Sequence, residues 1–389
     1  MRSRLLALAA GTFAIGVDAF VTAGLVAPVA RDLDVSPSAA GQLVTVFALS
    51  YAVLSPVLAA ATARFSRRPV LLAALALFVL GNVATALAPS YPLVLATRVV
   101  AAAGASMYTP NAAAVAAALA PPERRGRAMA AVMAGLTVAN AIGVPLGTWV
   151  GGALGWRATL WLVAGLGAAA LAGVALVVPD LRLPVPDGLR RRFAPLADRR
   201  VAAMLGLIML LFAGFYALYT YLGPVLAPAT GGDGGRLAVA LWVFGTVSIG
   251  ANLVGGRLAD GLHPDRVRIG ALAAFAVVVA LVPLVRDDYA VTLLWAAVFG
   301  VPSWLQYATH LRLLVELAPG ATPLLMGLNA SAQYVGMGLG GALGGIALGA
   351  WGPASLGWPA AALVLGALAV TVATRRPRVP EPVPVSRGS

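Results

Sequence analysis

The sequence has no cysteine and no lysine, and its only histidines are His263 and His310. Without cysteine the chain forms no disulfide and offers no thiolate to a metal ion. Two histidines are too few for the usual imidazole-based metal sites. We therefore expect neither a metal site nor a cofactor.

Catalytic motifs are missing as well. The sequence has no His-Glu-x-x-His motif, no cysteine nucleophile and no histidine deep within an apolar run. A membrane acyltransferase or protease needs a nucleophile with a base, or a metal ion. We expect the chain not to be an enzyme, and a membrane-embedded enzyme is kept only as the alternative from another functional class.

Charged residues are scarce. They make up 11% of the 389 residues, whereas 60% are hydrophobic and the mean hydropathy is +0.90. Soluble domains are about one quarter charged, so this composition predicts a polytopic membrane protein. The net charge of +13 comes from arginines in short clusters between apolar runs, which does not favour nucleic-acid binding.

Charged and Pro/Gly-rich breaks divide the chain into twelve apolar runs. Each is close to the roughly 20 residues that cross a bilayer as a helix. Helices are predicted because a backbone in lipid must satisfy its own hydrogen bonds. The runs are residues 5–29, 40–62, 69–88, 92–119, 129–152, 157–178, 201–225, 237–258, 269–285, 290–311, 323–348 and 357–374.

The arginines divide unequally between the two ends of these runs. With a cytoplasmic N-terminus, 22 of the 27 arginines fall in cytoplasmic segments, four fall on the opposite side and Arg98 lies within a span. The positive-inside rule then places both termini in the cytoplasm. The expected location is the cytoplasmic (inner) cell membrane, with the chain crossing it many times.

The longest break between runs, 179–200, is rich in proline and arginine and separates six runs from six. We predict an N-terminal six-helix half at 1–178, a cytoplasmic linker at 179–200 and a C-terminal six-helix half at 201–376. Four prolines in the tail at 377–389 predict disorder there.

Asp18 is the only acidic residue deep inside an apolar run. A carboxyl group at the bilayer centre costs about 2.5 to 3.5 kcal/mol on insertion scales, so a functional role is its default interpretation. At helical spacing it shares a small and polar face with Gly11, Ala14 and Thr22. We expect this face to meet other helices or water; neutralisation by a neighbour for packing alone is the alternative.

Two parts of the chain repeat. In span 5 an amide is followed by glycines at +3, +7 and +11, and span 11 has the same pattern 193 residues later: Asn140, Gly143, Gly147 and Gly151, then Gln333, Gly336, Gly340 and Gly344. The segment 59–68 after span 2 is echoed after span 8 with an offset of 197. Duplicated halves are common in transporters, and small-residue stripes let helices approach closely.

Short motifs follow one another in order along the chain. They are Asp18-Ala19-Phe20-Val21 with Gly24-Leu25, Arg64-Phe65-Ser66-Arg67-Arg68-Pro69, Arg98 with Gly104, Pro121-Pro122-Glu123-Arg124-Arg125-Gly126-Arg127-Ala128, Gly143-Val144-Pro145-Leu146-Gly147-Thr148, Gly155-Trp156-Arg157-Ala158, Tyr219-Thr220-Tyr221-Leu222 with Pro224, and Asn329-Ala330-Ser331. Together they resemble the major facilitator superfamily, and within it the twelve-span bacterial drug:proton antiporters of the arabinose-efflux and chloramphenicol-efflux-like branch.

This resemblance implies the major facilitator fold, an all-α polytopic membrane protein with twelve transmembrane helices in two pseudo-symmetric six-helix halves. It also implies gating and motif positions at Arg64, Arg67, Arg68, Gly143, Pro145, Gly147, Gly256 and Asp260. The loop after span 2 departs from the family pattern, because Ala59 and Ala63 stand where a glycine and an aspartate are usual. The second copy keeps both.

Arg98 is the only basic residue within a span. Counting ~1.5 Å per residue from the outer helix ends places Asp18 about 15 Å deep and Arg98 about 9 Å deep, so they can pair if spans 1 and 4 are neighbours, as the resemblance implies. A guanidinium favours the ionised carboxylate, whereas exclusion of water favours the neutral acid. Asp18 and Arg98 are therefore our candidate proton-coupling pair, with a structural ion pair as the alternative.

Polar and aromatic residues within spans are the candidates for lining a substrate cavity. They are Asn111, Asn140, Phe212, Tyr216, Tyr219, Gln306, Asn329 and Gln333. Apolar and aromatic walls with few polar anchors suit an amphipathic ligand, although plain packing is the alternative for the tyrosines. Tyr91, Trp156 and Trp351 at span ends are interpreted as interfacial anchors, and His310 as a packing residue.

These features lead to one hypothesis and its alternatives. The hypothesis is a secondary transporter that exports a small amphipathic compound, such as a drug or antibiotic, against protons by alternating access, acting as a monomer in the lipid bilayer. Export of a sugar, nucleoside or other metabolite is the alternative within transport. Two similar halves with one buried acid favour alternating access over an open channel.

The arginine bias gives a direct test of topology. Reporter domains fused after Arg200 and at the C-terminus are expected to report a cytoplasmic location, because 22 of 27 arginines then lie inside. Paired alkaline phosphatase and fluorescent protein fusions measure this. A periplasmic signal at either position would contradict the twelve-span arrangement.

Overall fold

The computed structural model describes residues 1–183, 194–261, 264–318 and 322–374. Every regular element within these ranges is a helix, and the helices form the twelve expected spans. In chain order the spans are Arg2–Phe20 with Thr22–Asp32; Pro37–Ala61; Arg67–Leu87; Tyr91–Leu119; Arg125–Val138 with Ala139–Gly143 and Val144–Leu154; Trp156–Val177; Arg199–Tyr219 with Leu222–Thr230; Gly234–Gly261; Pro264–Ala280 with Val282–Val285; Tyr289–Leu317; Thr322–Trp351; and Pro353–Leu356 with Gly357–Ala373.

The predicted all-α polytopic fold is confirmed. Ten of the described helices are long and apolar enough to cross a membrane. The other two are span 4, which carries the polar residues Arg98 and Asn111, and span 9, whose main helix has 17 residues. Span 7 begins at Arg199, the centre of the predicted linker (184–193) lies outside the described residues, and so does the predicted tail at 377–389.

Six consecutive spans return the chain to the end of the bundle where it began. Met1, the end of span 6 and the start of span 7 therefore lie at the same end, which we name the linker face. The opposite end is named the far face. This naming fixes directions within the molecule without reference to either side of a membrane.

Several spans are less regular than continuous apolar runs predict. Span 1 is interrupted at Val21 and span 7 at Thr220 and Tyr221. Span 5 contains a π turn, in which the N–H of Val144 bonds to the carbonyl of Ala139, five residues back. The next residue, Pro145, has no N–H to donate, so it cannot continue the ordinary ladder. Such π turns occur frequently at functional sites.

The second half repeats the first with an offset near 197 residues. Spans 1, 2, 3, 5 and 6 start at residues 2, 37, 67, 125 and 156, and spans 7, 8, 9, 11 and 12 start 197 positions later. The offset of 193 that we inferred from the glycine stripes is therefore one helical turn short. In the corrected register Gly143 corresponds to Gly340, and Asn140 does not correspond to Gln333.

The glycine stripe of span 5 packs against span 1. A Cβ built at Gly147 would lie 2.7 Å from the Val21 side chain, and one at Gly151 would lie 2.6 Å from that of Leu25. Gly143 meets Val17 in the same way, one turn earlier. The stripe thus follows one face of span 1 at four-residue steps and permits a close approach within the N-terminal half.

The stripe of span 11 packs against span 7 in the same way. Cβ atoms built at Gly336, Gly340 and Gly344 would collide with the carbonyl oxygens of Met209, Ala213 and Ala217. The nearest atoms here are backbone oxygens, followed at 2.9 Å by side-chain atoms of Phe212, Tyr216 and Tyr221. Both stripes are therefore contacts within a half, so they hold each six-helix bundle together.

A second set of glycines on span 11 contacts the other half. Gly338, Gly341 and Gly345 face Leu49, Thr45 and Ser38 of span 2, in order toward the far face. The hydroxyl of Ser38 donates a hydrogen bond to the carbonyl of Gly345. On the other side of the bundle the backbones of Gly152 in span 5 and Gly234 in span 8 touch. The two halves are closed against each other near the far face.

Tyr221 lies at the centre of this closed region. Its side chain is fully buried, and its hydroxyl donates a 2.7 Å hydrogen bond to the carbonyl of Gly341. The ring fills a space that exists because Gly41 of span 2 and Gly344 and Gly345 of span 11 carry no side chain. The break in span 7 places this one ring against both halves at once.

The halves separate toward the linker face. From Val53 to Ala61 no residue of span 2 is fully buried, and Val53 exposes 65% of its surface. Residues 330–335 of span 11 are likewise only partly buried. The halves therefore pack less closely at the linker face than at the far face, and we name the region between spans 2 and 11 at the linker face the vestibule.

The contact of span 11 with span 7 gives a stability prediction. Gly340→Ala forces a methyl group against the Ala213 carbonyl, and overpacking of this kind costs about 1 to 3 kcal/mol. The matched control is Gly206→Ala in span 7, where no atom lies within 4 Å of the added carbon. There alanine is expected to stabilise the helix by up to about 1 kcal/mol. Thermal unfolding in detergent measures both, and equal midpoints would contradict the packing described.

Candidate functional site

Asp18 and Arg98 meet inside the N-terminal half. The Nη1 atom of Arg98 donates to Oδ1 of Asp18 at 2.8 Å, and neither side chain is more than 3% exposed. Span 1 brings the carboxylate from the linker face and span 4 brings the guanidinium from the far face, so the pair lies at mid-height. The structure thus joins the two charged residues that lie within the apolar runs.

Two further side chains surround the Arg98 guanidinium. It lies over the ring of Phe47 in span 2, 4.5 Å from the centroid, and Nη1 is 3.4 Å from Oδ1 of Asn82 in span 3. Asn82 is held in place because its Nδ2 donates to the carbonyl of Phe78. Sequence reasoning missed both residues. A phenylalanine in an apolar run carries no distinguishing signal, but the buried amide of Asn82 in span 3 could have been singled out.

The pair is incompletely satisfied. Oδ2 of Asp18 and Nε of Arg98 are buried without a hydrogen-bond partner. A small cavity of about 10 Å³ adjoins both residues, close to the volume that holds one water molecule. The site thus holds a buried ion pair with one free acceptor oxygen on the carboxylate.

The C-terminal half has rings at the corresponding positions. Positions 197 residues after Asp18, Phe47 and Arg98 are Phe215, Phe244 and Trp295. Phe299 lies between Phe215 and Trp295, stacked on both with centroid distances of 5.6 and 4.8 Å. An aromatic cluster thus replaces the ion pair at these positions of the C-terminal half.

The predicted cavity residues of span 7 belong largely to this cluster. Tyr216 and Tyr219 are 3% and 2% exposed, and the Phe215 ring contacts both of theirs. Phe212 is only partly buried and lies 6.1 Å from the Tyr216 ring. The two tyrosines therefore pack in the core of the C-terminal half, and Phe212 borders the vestibule.

The predicted amides of spans 10 and 11 form a polar group. Asn329 Oδ1 lies 2.9 Å from Nε2 of His310, and Nε2 of Gln333 donates to the Tyr307 hydroxyl at 2.8 Å. Gln306 is fully buried, and both of its amide atoms lack partners. His310, which we interpreted as a packing residue, is buried within this hydrogen-bonded group.

Asn111 contacts the loop motif between spans 2 and 3. Its Oδ1 accepts a 3.2 Å hydrogen bond from Arg67, which is buried and also donates to the carbonyls of Thr62 and Ala63. Arg68 donates to the carbonyl of Ala175 in span 6. The loop motif is thus attached to spans 4 and 6 without the aspartate that Ala63 replaces.

The remaining predicted motif residues have separate surroundings. Arg64 lies over the ring of its neighbour Phe65, 5.4 Å from the centroid. Asn140 lies in the π turn of span 5, where its carbonyl contacts Gly245 of span 8. Gly256 and Asp260 fall within the span 8 helix, but what surrounds them lies outside the described residues.

A pair of tyrosines joins the halves beside the ion pair. Tyr51 of span 2 and Tyr334 of span 11 stack with centroids 3.6 Å apart and planes at 13°. Asp18 and Tyr334 interact electrostatically. The pair is the innermost contact of the closed region, where the vestibule begins. Sequence reasoning missed it because neither tyrosine lies in a recognisable motif.

Trp156 is not an interfacial anchor, contrary to our expectation. It is 3% exposed, and its indole Nε1 donates to Oδ2 of Asp32 at 3.0 Å. Arg157 forms an ion pair with the same carboxylate, which is partly exposed beyond the apolar run of span 1. The hydrogen bond from Trp156 and then the contact with Arg157 lower the pKa of Asp32.

Comparison with known proteins shows which family the chain resembles. The family model described as Major Facilitator Superfamily matches residues 8–340. The chain is 32% identical over 351 residues to the inner membrane transport protein YdhP of Escherichia coli K12, with 89% of each chain covered. It is 37% identical over 257 residues to a chloramphenicol resistance protein of Streptomyces lividans, covering 65% of this chain and 66% of that one.

Solved structures agree with the fold. A bacterial homologue of the human lysosomal transporter Spinster, in an inward-facing conformation, superposes with a TM-score of 0.77 at 17% identity, covering 95% of this chain and 94% of the other. The nucleoside transporter NupG gives a TM-score of 0.76 at 13% identity, covering 96% and 99%. By its family model and its relatives, the chain belongs to the Major Facilitator Superfamily, whose members are membrane transporters and not enzymes.

Proposed function

We propose that this transporter exports small amphipathic compounds in exchange for protons. The observation that carries the proposal is the buried ion pair of Asp18 and Arg98, which has an unpartnered carboxylate oxygen. A carboxyl group in the middle of the membrane costs free energy, so its presence indicates a functional role. A carboxyl group that alternates between paired and protonated states supplies one.

The geometry supports a simple cycle. With Asp18 ionised, the attraction to Arg98 holds spans 1 and 4 together. A proton on Oδ2 removes that attraction, and the neutral acid no longer balances the guanidinium beside it. The Tyr51–Tyr334 stack joins the two halves through span 2, which also contributes the Phe47 ring beneath Arg98. Loss of the ion pair is the kind of change that shifts a population between two arrangements.

The walls of the vestibule suit an apolar ligand with a planar portion. Phe212, Trp304, Tyr307 and Tyr334 are partly exposed there. Aromatic walls with a few polar groups are typical of sites for amphipathic small molecules. The similarity to a chloramphenicol resistance protein points in the same direction.

A second candidate is export of a hydrogen-bonding metabolite such as a sugar or nucleoside. The amides of Gln306, Asn329 and Gln333, together with His310, favour it. These groups already form hydrogen bonds with one another or are fully buried, so few of their polar atoms are available to a ligand. The aromatic wall offers a larger contact surface. We therefore place this function second.

The proposal also covers the orientation of the protein in the membrane and the conformation that the structure describes. The linker face is cytoplasmic, so the described conformation opens inward and takes up substrate from the cytoplasm. The protein acts as a monomer in the inner membrane, since each half closes its own bundle through glycine contacts. A pocket of about 350 Å³ on the outer surface of the closed far face, lined by both halves and bordered by Arg31 and Asp233, then lies on the exit side.

Asp18→Asn tests proton coupling. The amide keeps size and polarity but cannot ionise, so uphill efflux driven by a pH gradient in proteoliposomes is expected to fall to background while folding is retained. Asp18→Glu is expected to keep partial activity, because a carboxyl group remains. The matched control is Asp288→Asn, which alters an exposed helix cap that asparagine can replace. Full gradient-driven efflux by Asp18→Asn would exclude Asp18 as the coupling site.

A growth assay tests the proposed substrate class. An efflux-deficient host that expresses the chain is expected to tolerate higher concentrations of aromatic amphipathic antibiotics, including chloramphenicol, and to lose this tolerance with a protonophore. Phe212→Ala, at the vestibule border, is expected to reduce tolerance more than Leu80→Ala, which alters an exposed residue of span 3. Protection against sugar or nucleoside toxicity alone would favour the second candidate.

A further inference from the structure

A narrow crevice enters the N-terminal half and ends at the ion pair. It is lined by Asp18, Val21, Thr22, Leu25, Val29, Leu43, Thr85, Arg98, Trp156 and Leu160. The residues contributed by span 1 are spaced three or four apart, so they share one face of that helix. At ~1.5 Å per residue the stretch from Asp18 to Val29 extends about 16 Å toward the far face.

The inner end of the crevice is polar. Oδ2 of Asp18, which has no hydrogen-bond partner, and the hydroxyls of Thr22 and Thr85 border it. Thr85 is fully buried, and its hydroxyl donates a 2.9 Å hydrogen bond to the hydroxyl of Thr97. The cavity of about 10 Å³ is close to the room that one water molecule requires. This volume is that of the whole crevice, so the free carboxylate oxygen borders room for one water molecule while staying buried in this conformation.

The outer end is formed by the Trp156 group at the far face. The Trp156 side chain lines the crevice, and its indole donates to Asp32, which Arg157 also contacts. Asp32 is 44% exposed, so a carboxylate in contact with solution lies at this end. The motif at 155–158, to which the transport cycle above assigns no role, therefore marks the end of the crevice.

The vestibule between the halves is separate from this crevice. Asp18 exposes none of its side chain, and the crevice lining comes from spans 1, 2, 3, 4 and 6 of one half. The titratable or charged groups that face Asp18 are Arg98 from span 4 and Tyr334 from span 11. The guanidinium repels metal cations, so the ligand that suits this site is a proton carried by water.

We propose that protons reach Asp18 from the far face through this crevice, inside the N-terminal half, while the substrate crosses between the halves. The proposal rests on the proposed proton coupling. In the step itself, water held by Thr22 and Thr85 gives one proton to Oδ2 of Asp18 and regains one from the far-face solution. The step breaks and forms O–H bonds only. The proton neutralises the Asp18 carboxylate, so the Arg98 guanidinium no longer has a negative partner.

The test uses the full chain with its far face locked. A Cβ built at Gly341 lies 2.8 Å from Oγ1 of Thr45, so the pair Thr45→Cys and Gly341→Cys is placed to form a disulfide, and the chain has no other cysteine. The locked protein is reconstituted in one orientation with membrane-impermeant buffers on each side. Infrared spectroscopy follows the carboxyl band of protonated Asp18, assigned by its loss in Asp18→Asn.

Acidification on the far side alone is expected to raise this band, and acidification on the linker side alone is not. Thr22→Val, which removes a hydroxyl that caps no helix, is expected to slow the response roughly tenfold or more. Thr12→Val, a buried threonine of the same span outside the crevice, is the control and is expected to leave the rate unchanged.

Two results would overturn the route while leaving proton coupling intact: a response to the linker side only, or equal rates in Thr22→Val and Thr12→Val. No response from either side would overturn the route together with proton coupling at Asp18. A far-side response that Thr22→Val slows and Thr12→Val does not supports it.

Discussion

The N-terminal half depends on one constraint, which is that a single carboxylate inside a membrane must be neutralised where it lies. Arg98 supplies the opposite charge, Phe47 offers its ring face, and Asn82 adds an acceptor. These groups come from spans 4, 2 and 3, so the cost of one buried acid organises four helices around it. The neutralisation is incomplete because one carboxylate oxygen stays without a hydrogen-bond partner, and the proposed proton coupling rests on this free oxygen.

Helix association in lipid depends on close packing, because lipid tails are as apolar as the side chains they would replace. Span 11 shows two uses of this principle on one helix. Gly340 and its stripe approach the carbonyl oxygens of span 7 within the C-terminal half. Gly341 and Gly345 meet side chains of span 2 in the other half, and Gly345 also meets the Tyr221 ring. One helix thus carries a contact within its own half and a contact between the halves.

The sequence was sufficient for the spans and for the two charged residues, because a run of apolar residues and a charge inside it are both strong local signals. The register of the repeat was wrong by one turn, since glycines every four residues look the same after a slip of four. Tyr51 and Tyr334 were missed, as was the aromatic cluster around Phe299, because a ring within an apolar run does not reveal which helix it will face. Trp156 was misassigned for a related reason: position at a span end cannot distinguish lipid from a buried acid partner.

The two halves differ at the positions that correspond to the ion pair. Where the N-terminal half has Asp18, Phe47 and Arg98, the C-terminal half has Phe215, Phe244 and Trp295 at the repeat distance. Rings in contact have one well-packed arrangement and no charge to gain or lose, whereas an ion pair has two arrangements that differ by a proton. A duplicated fold can thus hold an ion pair in one half and packed rings at the same positions of the other. The two halves share their helix pattern and differ at mid-height, where one must neutralise a charge and the other needs only close packing.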